Sequence, residues 1–416
     1  MGAGLALAAL AAPLIADAGD APVVAPGWTR SLAAAPAPSS EMTPFVLLPL
    51  RDGTALVRNG EGVAAIDGRG ATRWTMPAVT DAIIDGTAVV FRRPNVVFAV
   101  RSRDAGVLWK YRCANPPYTV AAGDRLVTMC GGISTVLSAR DGHLVARSAS
   151  KLPTGTSIRG AQGLNDGYVL VTDFFDGAWM GRSYYVVDAH TGAFLWSDTD
   201  FNVVDVTPET IAISPYPSML PWGSAGYVVR RRLPDGAVLS TQTHDLPRSI
   251  DDTTRGYLAR STAATYVTAM GGSVFRFRRG TNRDPQRIFS GATDVYTLGN
   301  AAFIFVRSGI GSATVYLDRP SGRDTFATRL LGKQGGYISE PAAADWSTWI
   351  GRAGHVGGLI AVNDGVAVRL YDELGSAAMV VKSPCKSPYL TATRSVLFVV
   401  CAPKGSPVTV AGYARH

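Results

Sequence analysis

A chain of 416 residues that is 47% hydrophobic and 17% charged has apolar material for one or two ordinary cores, which excludes a disordered polymer. Its 45 glycines and 25 prolines fall in short clusters without a strict period, which excludes a collagen-like chain and suits many strands joined by many turns. The net charge of +8, carried mostly by arginine, reads as a soluble basic surface; its functional reading is a negatively charged partner such as an anionic envelope polymer, with nucleic acid not expected.

The chain opens on an apolar run of Ala, Leu and Gly, Met1 to Ile15, followed by Ala16-Asp17-Ala18 with small residues at both key positions of a signal-peptidase site. Residues 1–18 are therefore expected to be a signal peptide, although no Lys or Arg precedes the run. The run is too short to span a bilayer comfortably, and no later run is long enough, so no transmembrane segment is expected. No cysteine precedes Cys113, so a lipid anchor at the cleavage site is not expected either. Residues 19–42 form an N-terminal segment in which Gly27-Trp28-Thr-Arg-Ser31 looks like an isolated strand, and residues 43–416 form the folded body.

Along that body one phrase recurs: an alternating strand, a turn with Asp or Gly, then a second strand often opened by tryptophan. It runs from Val63 to Trp74, from Val97 to Trp109 and, most clearly, from Tyr185 to Trp196. Weaker copies start at Thr135, Tyr227, Val274, Val315 and Val368. Upstream of most copies lie two more strand-like runs split by Asp-Gly or similar turns, such as Asp81 to Val90 and Gly163 to Thr172. Each unit then holds four short strands in about 36–54 residues, the period of a β-propeller. The expected fold is all-β, a propeller of four-stranded blades with little helix.

The phrase Val187-Asp-Ala-His-Thr-Gly-Ala-Phe-Leu-Trp196 resembles the repeat of the PQQ-like propeller superfamily, the group that includes quinoproteins and BamB-type propellers. Trp74 and Trp109 stand at or near the matching position, and the resemblance extends weakly from about residue 43 to residue 413. Eight units plus a C-terminal fragment, Tyr389 to Tyr413, give nine blades if taken literally. Eight is the commoner number in the family resembled, so eight blades are expected, within a range of seven to nine. The strand at Gly27–Ser31 would supply the tryptophan strand missing from the C-terminal fragment and close the last blade.

The four cysteines fall in two matched settings. Cys113 precedes Pro117-Tyr118, a strand-like run and Leu126-Val-Thr-Met-Cys130; Cys385 precedes Pro388-Tyr389, a similar run and Leu397-Phe-Val-Val-Cys401. Each pair brackets two antiparallel strands, which places both sulfurs at one end of a hairpin and predicts Cys113–Cys130 and Cys385–Cys401 disulfides. A zinc site would need closer Cys spacing or a histidine pair.

The resemblance raises the reading of a quinoprotein oxidoreductase, which would hold PQQ with calcium near the ring axis beside adjacent cysteines. No Cys-Cys pair occurs, and Asp251-Asp252 with Trp346 and Trp349, which that reading would offer as ligand and platform, have neighbours that match no motif. The histidines are scattered, and no His-Glu-x-x-His, Gly-x-Ser-x-Gly or phosphate-loop motif is present. No catalytic, cofactor-binding or metal-binding residue is therefore assigned, and no cofactor is expected outside the quinoprotein reading. The expectation is an exported, periplasmic or extracellular scaffold that binds a protein or an anionic envelope polymer and acts as a monomer. A polysaccharide-binding or hydrolysing propeller is the third reading. Two aromatic loops are the contact candidates: Phe174, Phe175 and Trp179 in one, Tyr216, Leu220 and Trp222 in the other. The basic runs Arg230–Arg232 and Arg276–Arg279 fall in strand-like segments and read as outward, solvated faces.

Overall fold

The structure, a computed structural model, describes residues 23–34, 47–79, 81–85, 88–114, 116, 118–151, 157–175, 181–199, 201–215, 227–243, 257–268, 273–281, 285–309, 312–322, 325–335, 355–386, 388–403 and 406–415. Among these residues every regular element is a strand. The strands form nine antiparallel meanders, or blades. Blades 1 to 8 span residues 47–77, 81–112, 119–151, 157–199, 201–243, 257–289, 292–335 and 355–382. Blade 9 takes three strands from residues 389–414, and its fourth is Trp28–Ala34, which pairs antiparallel with Pro407–Ala414.

First strands of neighbouring blades lie against one another, so the first strand of each blade is innermost and the fourth outermost. A blade is covered on both faces by its neighbours, and this explains the sequence pattern. Second and third strands are apolar without alternation: Val63–Ile66 and Val97–Val100 are buried throughout. Fourth strands alternate, as in Val107–Arg112, where Trp109 alone is buried.

The described residues pack into nine apolar layers, each shared by two adjacent blades. A row of nine sheets would have eight such layers. The ninth joins the ends, packing Leu47, Val57 and Ile66 of blade 1 against Phe398, Val400 and Val410 of blade 9. The ring is therefore closed, and it has nine blades, not the eight expected. The literal count of units was the right one, because neighbour-to-neighbour packing tolerates an added blade and the closing strand lies far from its sheet in sequence. Just upstream of that strand, Val23–Val24 adds in parallel to the outer strand of blade 8, Ala377–Lys382, so the N-terminal segment bridges blades 8 and 9.

The recurring tryptophan has a role between blades. Each indole N–H donates to a carbonyl in the third-to-fourth-strand turn of the next blade: Trp28 to Gly68 (2.8 Å), Trp74 to Ser102 (2.6 Å), Trp109 to Ala139 (3.1 Å) and Trp196 to Leu233 (2.7 Å). The ring lies on the turn's backbone, and in three of these four turns (Gly70, Gly142 and Gly236) a glycine sits beneath it: a Cβ on Gly142 would sit 2.4 Å from the Trp109 ring. Between blades 7 and 8 an arginine does this work, as Arg329 donates to the carbonyls of Leu374 (3.1 Å) and Gly375 (2.8 Å).

Disulfides join Cys113 to Cys130 and Cys385 to Cys401, across 17 and 16 residues. Each ties the connection entering a first strand to the end of the second strand, in blade 3 and in blade 9. Replacing Cys113 and Cys130 together by alanine should lower stability by about 3 kcal/mol in the chain-entropy account. Urea unfolding measures the loss, and an unchanged midpoint would show that the bond contributes nothing.

Candidate functional site

Among the described residues, two charged clusters lie where blade 6 meets its neighbours. The first lies between blades 6 and 7. Asp318, fully buried in the third strand of blade 7, accepts from Arg276 Nη1 at 2.7 and 2.8 Å, from the Tyr266 hydroxyl at 2.9 Å and from Thr328 Oγ1 at 2.8 Å. Arg276 also donates to Gln286 Oε1, and its guanidinium stands 4.0 Å from the centre of the Phe326 ring. Burial pushes the Tyr266 phenol far above its ordinary value, and the charge of Asp318 adds to the effect, so Tyr266 stays a donor. A carboxylate with this many donors has no lone pair free to take a proton from a substrate. The cluster holds blades together and has the chemistry of a clamp, not of an acid or base.

The second cluster lies at the inner rim of blades 5 and 6. Arg230, in the third strand of blade 5 (Tyr227–Arg232), donates to Asp205 Oδ2 at 3.2 Å and to Thr210 Oγ1 at 2.8 Å. Arg260 closes the first strand of blade 6, and its Nε is buried with no acceptor among the described residues.

Of the two basic runs, Arg232, Arg278 and Arg279 are exposed as expected, and the clusters correct the reading of the others. Arg276 is buried, not solvated, because third strands are covered on both faces. Arg230, Arg231 and Arg232 pair with Asp205, Asp198 and Asp235, and Arg231 also faces the Trp196 ring. These arginines are engaged by the chain's own carboxylates. Arg276 and Asp318 are 42 residues apart in sequence. The one sequence signal was the position of Arg276 between Phe275 and Phe277.

Two histidines sit in third-to-fourth-strand turns. His143 Nδ1 lies 2.6 Å from Asp141 Oδ1 and His190 Nδ1 3.7 Å from Asp188 Oδ1, all on exposed turns. Hydrogen bonds from the Ser138 side chain and then from His143 hold the Asp141 carboxyl down to about 2. Asp188 accepts the backbone N–H groups of His190 and Thr191, which is turn chemistry.

The predicted contact residues are only partly covered. Phe174 and Phe175 end the second strand of blade 4, where their backbones pair with Arg182 and Gly181. Trp179, Tyr216, Leu220 and Trp222 lie outside the described residues, as do the predicted signal peptide, Asp251, Asp252, Trp346 and Trp349. The strands that carry the two loops are described. In every meander the second-to-third connections and the blade-to-blade connections emerge at one end of the ring. The loops after Phe175 in blade 4 and after Pro215 in blade 5 therefore leave from adjacent blades at the same end. Both disulfides lie at that end.

All four cysteines are spent on hairpins in blades 3 and 9, and no group of three or more His, Cys, Asp or Glu is gathered for a metal among the described residues. No helix there is long and apolar enough to cross a membrane.

No family model matches the sequence, and no curated protein matches it. Solved structures do. BamB from Moraxella catarrhalis is 15% identical over 94% of this chain and 100% of its own, with a TM-score of 0.40. A eukaryotic initiation factor is 11% identical over 88% and 95%, with a TM-score of 0.52. A quinohemoprotein alcohol dehydrogenase from Pseudomonas putida is 10% identical over 80% and 73%, with a TM-score of 0.40. At such identities the likeness concerns fold alone, and the fold fixes no activity. With four-stranded blades closed into a ring, and with the turn-and-tryptophan phrase docking one blade on the next, the chain is in fold a nine-bladed β-propeller.

Proposed function

We propose that the protein is an exported, non-catalytic propeller that binds a protein partner as an assembly scaffold in the cell envelope. The observation that carries this reading is the convergence of the two aromatic loop-bearing strand pairs on adjacent blades at one end of the ring. Aromatic residues are the side chains that anchor protein interfaces most often. The internal use of the buried carboxylate and of all four cysteines favours binding over chemistry, and disulfides suit a compartment outside the cytoplasm.

A photo-crosslinking residue at position 179 or 222 should give discrete protein adducts in cells. The same residue at Leu374, exposed at the opposite end, should give none. Equal adducts from all three, or none from any, would refute a partner face there. Saturating PQQ with calcium should leave the melting temperature unmoved; a rise would put the quinoprotein reading in its place.

A further inference from the structure

Blade 5 lacks the indole that docks one blade on the next. Ser240 stands in its place: it lies opposite Arg230 with a bulge beside the pair, as Trp196 lies opposite Val186 and Trp109 opposite Ala99. Where blade 3 has Ala146 at this position, the neighbouring turn closes in, and a Cβ on Gly192 would meet the Ser134 carbonyl oxygen at 3.2 Å and Val136 at 3.4 Å. At Ser240 the space stays open. No residue of the fourth strand of blade 5, Val238–Thr243, is buried, and Val238 and Leu239 are 55% and 50% exposed. The layer between blades 5 and 6 is formed by Ala212, Val228, Val267, Phe275 and Phe277, all on second and third strands. A groove therefore opens at the outer circumference, between the fourth strand of blade 5 and the third-to-fourth-strand turn of blade 6. That turn keeps an acceptor for an indole. The Arg279 N–H donates to the Ala263 carbonyl at 3.1 Å, as the Leu233 N–H does to Glu209 at 2.8 Å and the Ala139 N–H to Asp124 at 2.9 Å. The carbonyls of Leu233 and Ala139 receive Trp196 and Trp109, whereas no donor among the described residues reaches the Arg279 carbonyl. Arg278 and Arg279 are exposed at this turn, and exposed Arg287 follows on the fourth strand of blade 6.

We propose that this groove binds an extended, acidic segment of a partner protein that carries a tryptophan. The segment adds to blade 5 as a fifth strand, along the outer edge of Val238–Thr243, which pairs with no other strand among the described residues. The chain itself shows such an addition in blade 8, where Val23–Val24 pairs with Ala377–Lys382. Neighbouring strands stand about 5 Å apart, a gap that an indole spans across the small side chain of Ser240. The ring then rests against the blade 6 turn, and its N–H donates to the Arg279 carbonyl. Carboxylates of the segment meet Arg278 and Arg279. The groove lies toward the end of the ring opposite the disulfides and the aromatic loops. It stands independently of the scaffold reading, because adducts at positions 179 and 222 do not depend on it.

Fluorescence polarisation of the whole protein with a labelled peptide, Asp-Thr-Val-Trp-Val-Thr-Asp, tests it. The sequence reads alike in both directions, so strand polarity does not matter. Saturable one-to-one binding is expected. Alanine in place of the peptide's tryptophan should weaken it by about tenfold or more. Ser240→Trp fills the seat from within, so it should raise the melting temperature and weaken peptide binding by about tenfold or more. Arg279→Glu, at an exposed position, should weaken binding several-fold and leave the melting temperature unmoved. No saturable binding, equal affinity for the alanine peptide, or unchanged affinity in Ser240→Trp overturns the proposal. So does a dimer in sedimentation that Ser240→Trp dissociates, which would make the occupant a second copy. A melting temperature lowered by Ser240→Trp, with no peptide bound by the parent protein, would make the occupant the chain itself and overturn it equally. Should Ser240→Trp fail to fold, unchanged affinity in Arg279→Glu overturns it.

Discussion

Replacing Asp318 by alanine should destabilise the ring by about 3–5 kcal/mol, read as a lowered midpoint in urea. The size follows from what is left behind. Arg276 is 7% exposed and Asp318 not at all, so the substitution strands a guanidinium charge between blades 6 and 7. Gln286 and the face of Phe326 remain beside it, but neither carries a compensating charge. Tyr266 and Thr328 lose their acceptor in the same step. The charge, more than the lost contacts, sets the cost. A double variant, Arg276→Met with Asp318→Leu, should therefore recover most of the stability, since the surrounding layer of Ala264, Val274, Ala302 and Ile304 is apolar. A loss under about 1 kcal/mol in the single variant would mean that water reaches the pair and that it holds nothing.

That pair marks a limit of sequence reading. Local features were legible: the turn-and-tryptophan phrase and the hairpin disulfides, each contained within about 20 residues. Alternation misled at Arg276, because period 2 implies a wet face only when a sheet has one, and the inner strands of a propeller have none. The blade number was legible in the units themselves and was lost by deferring to the commoner ring size. The two polar clusters were not legible as clusters. Their members come from different blades, so no spacing along the chain records that Tyr266, Arg276 and Asp318 meet, or that Asp205 and Arg230 stand beside Arg260. The contact loops were placed by composition, and only the strands that bear them show that they leave from neighbouring blades.

Trp109 offers the complementary prediction, since its partner is backbone. Trp109→Ala should cost about 3–5 kcal/mol through lost packing and a cavity, and it also removes the donor to the Ala139 carbonyl. The turn beneath it supplies an internal control. Gly142 holds a φ of +70°, and a Cβ there would meet the indole at 2.4 Å. Gly142→Ala thus has two costs: about 1–2 kcal/mol of left-handed backbone strain, and the displacement of the ring. In the Trp109→Ala background only the strain remains. The cycle should therefore be strongly non-additive, with Gly142→Ala costing less once the indole is gone. Additive costs would mean that the ring does not rest on the turn. The same logic extends around the ring, where Ala105 already replaces the glycine at a φ of +57° in the blade that receives Trp74. Ala105→Gly should relieve that strain, so blade 2 should gain stability from the change that blade 3 already has.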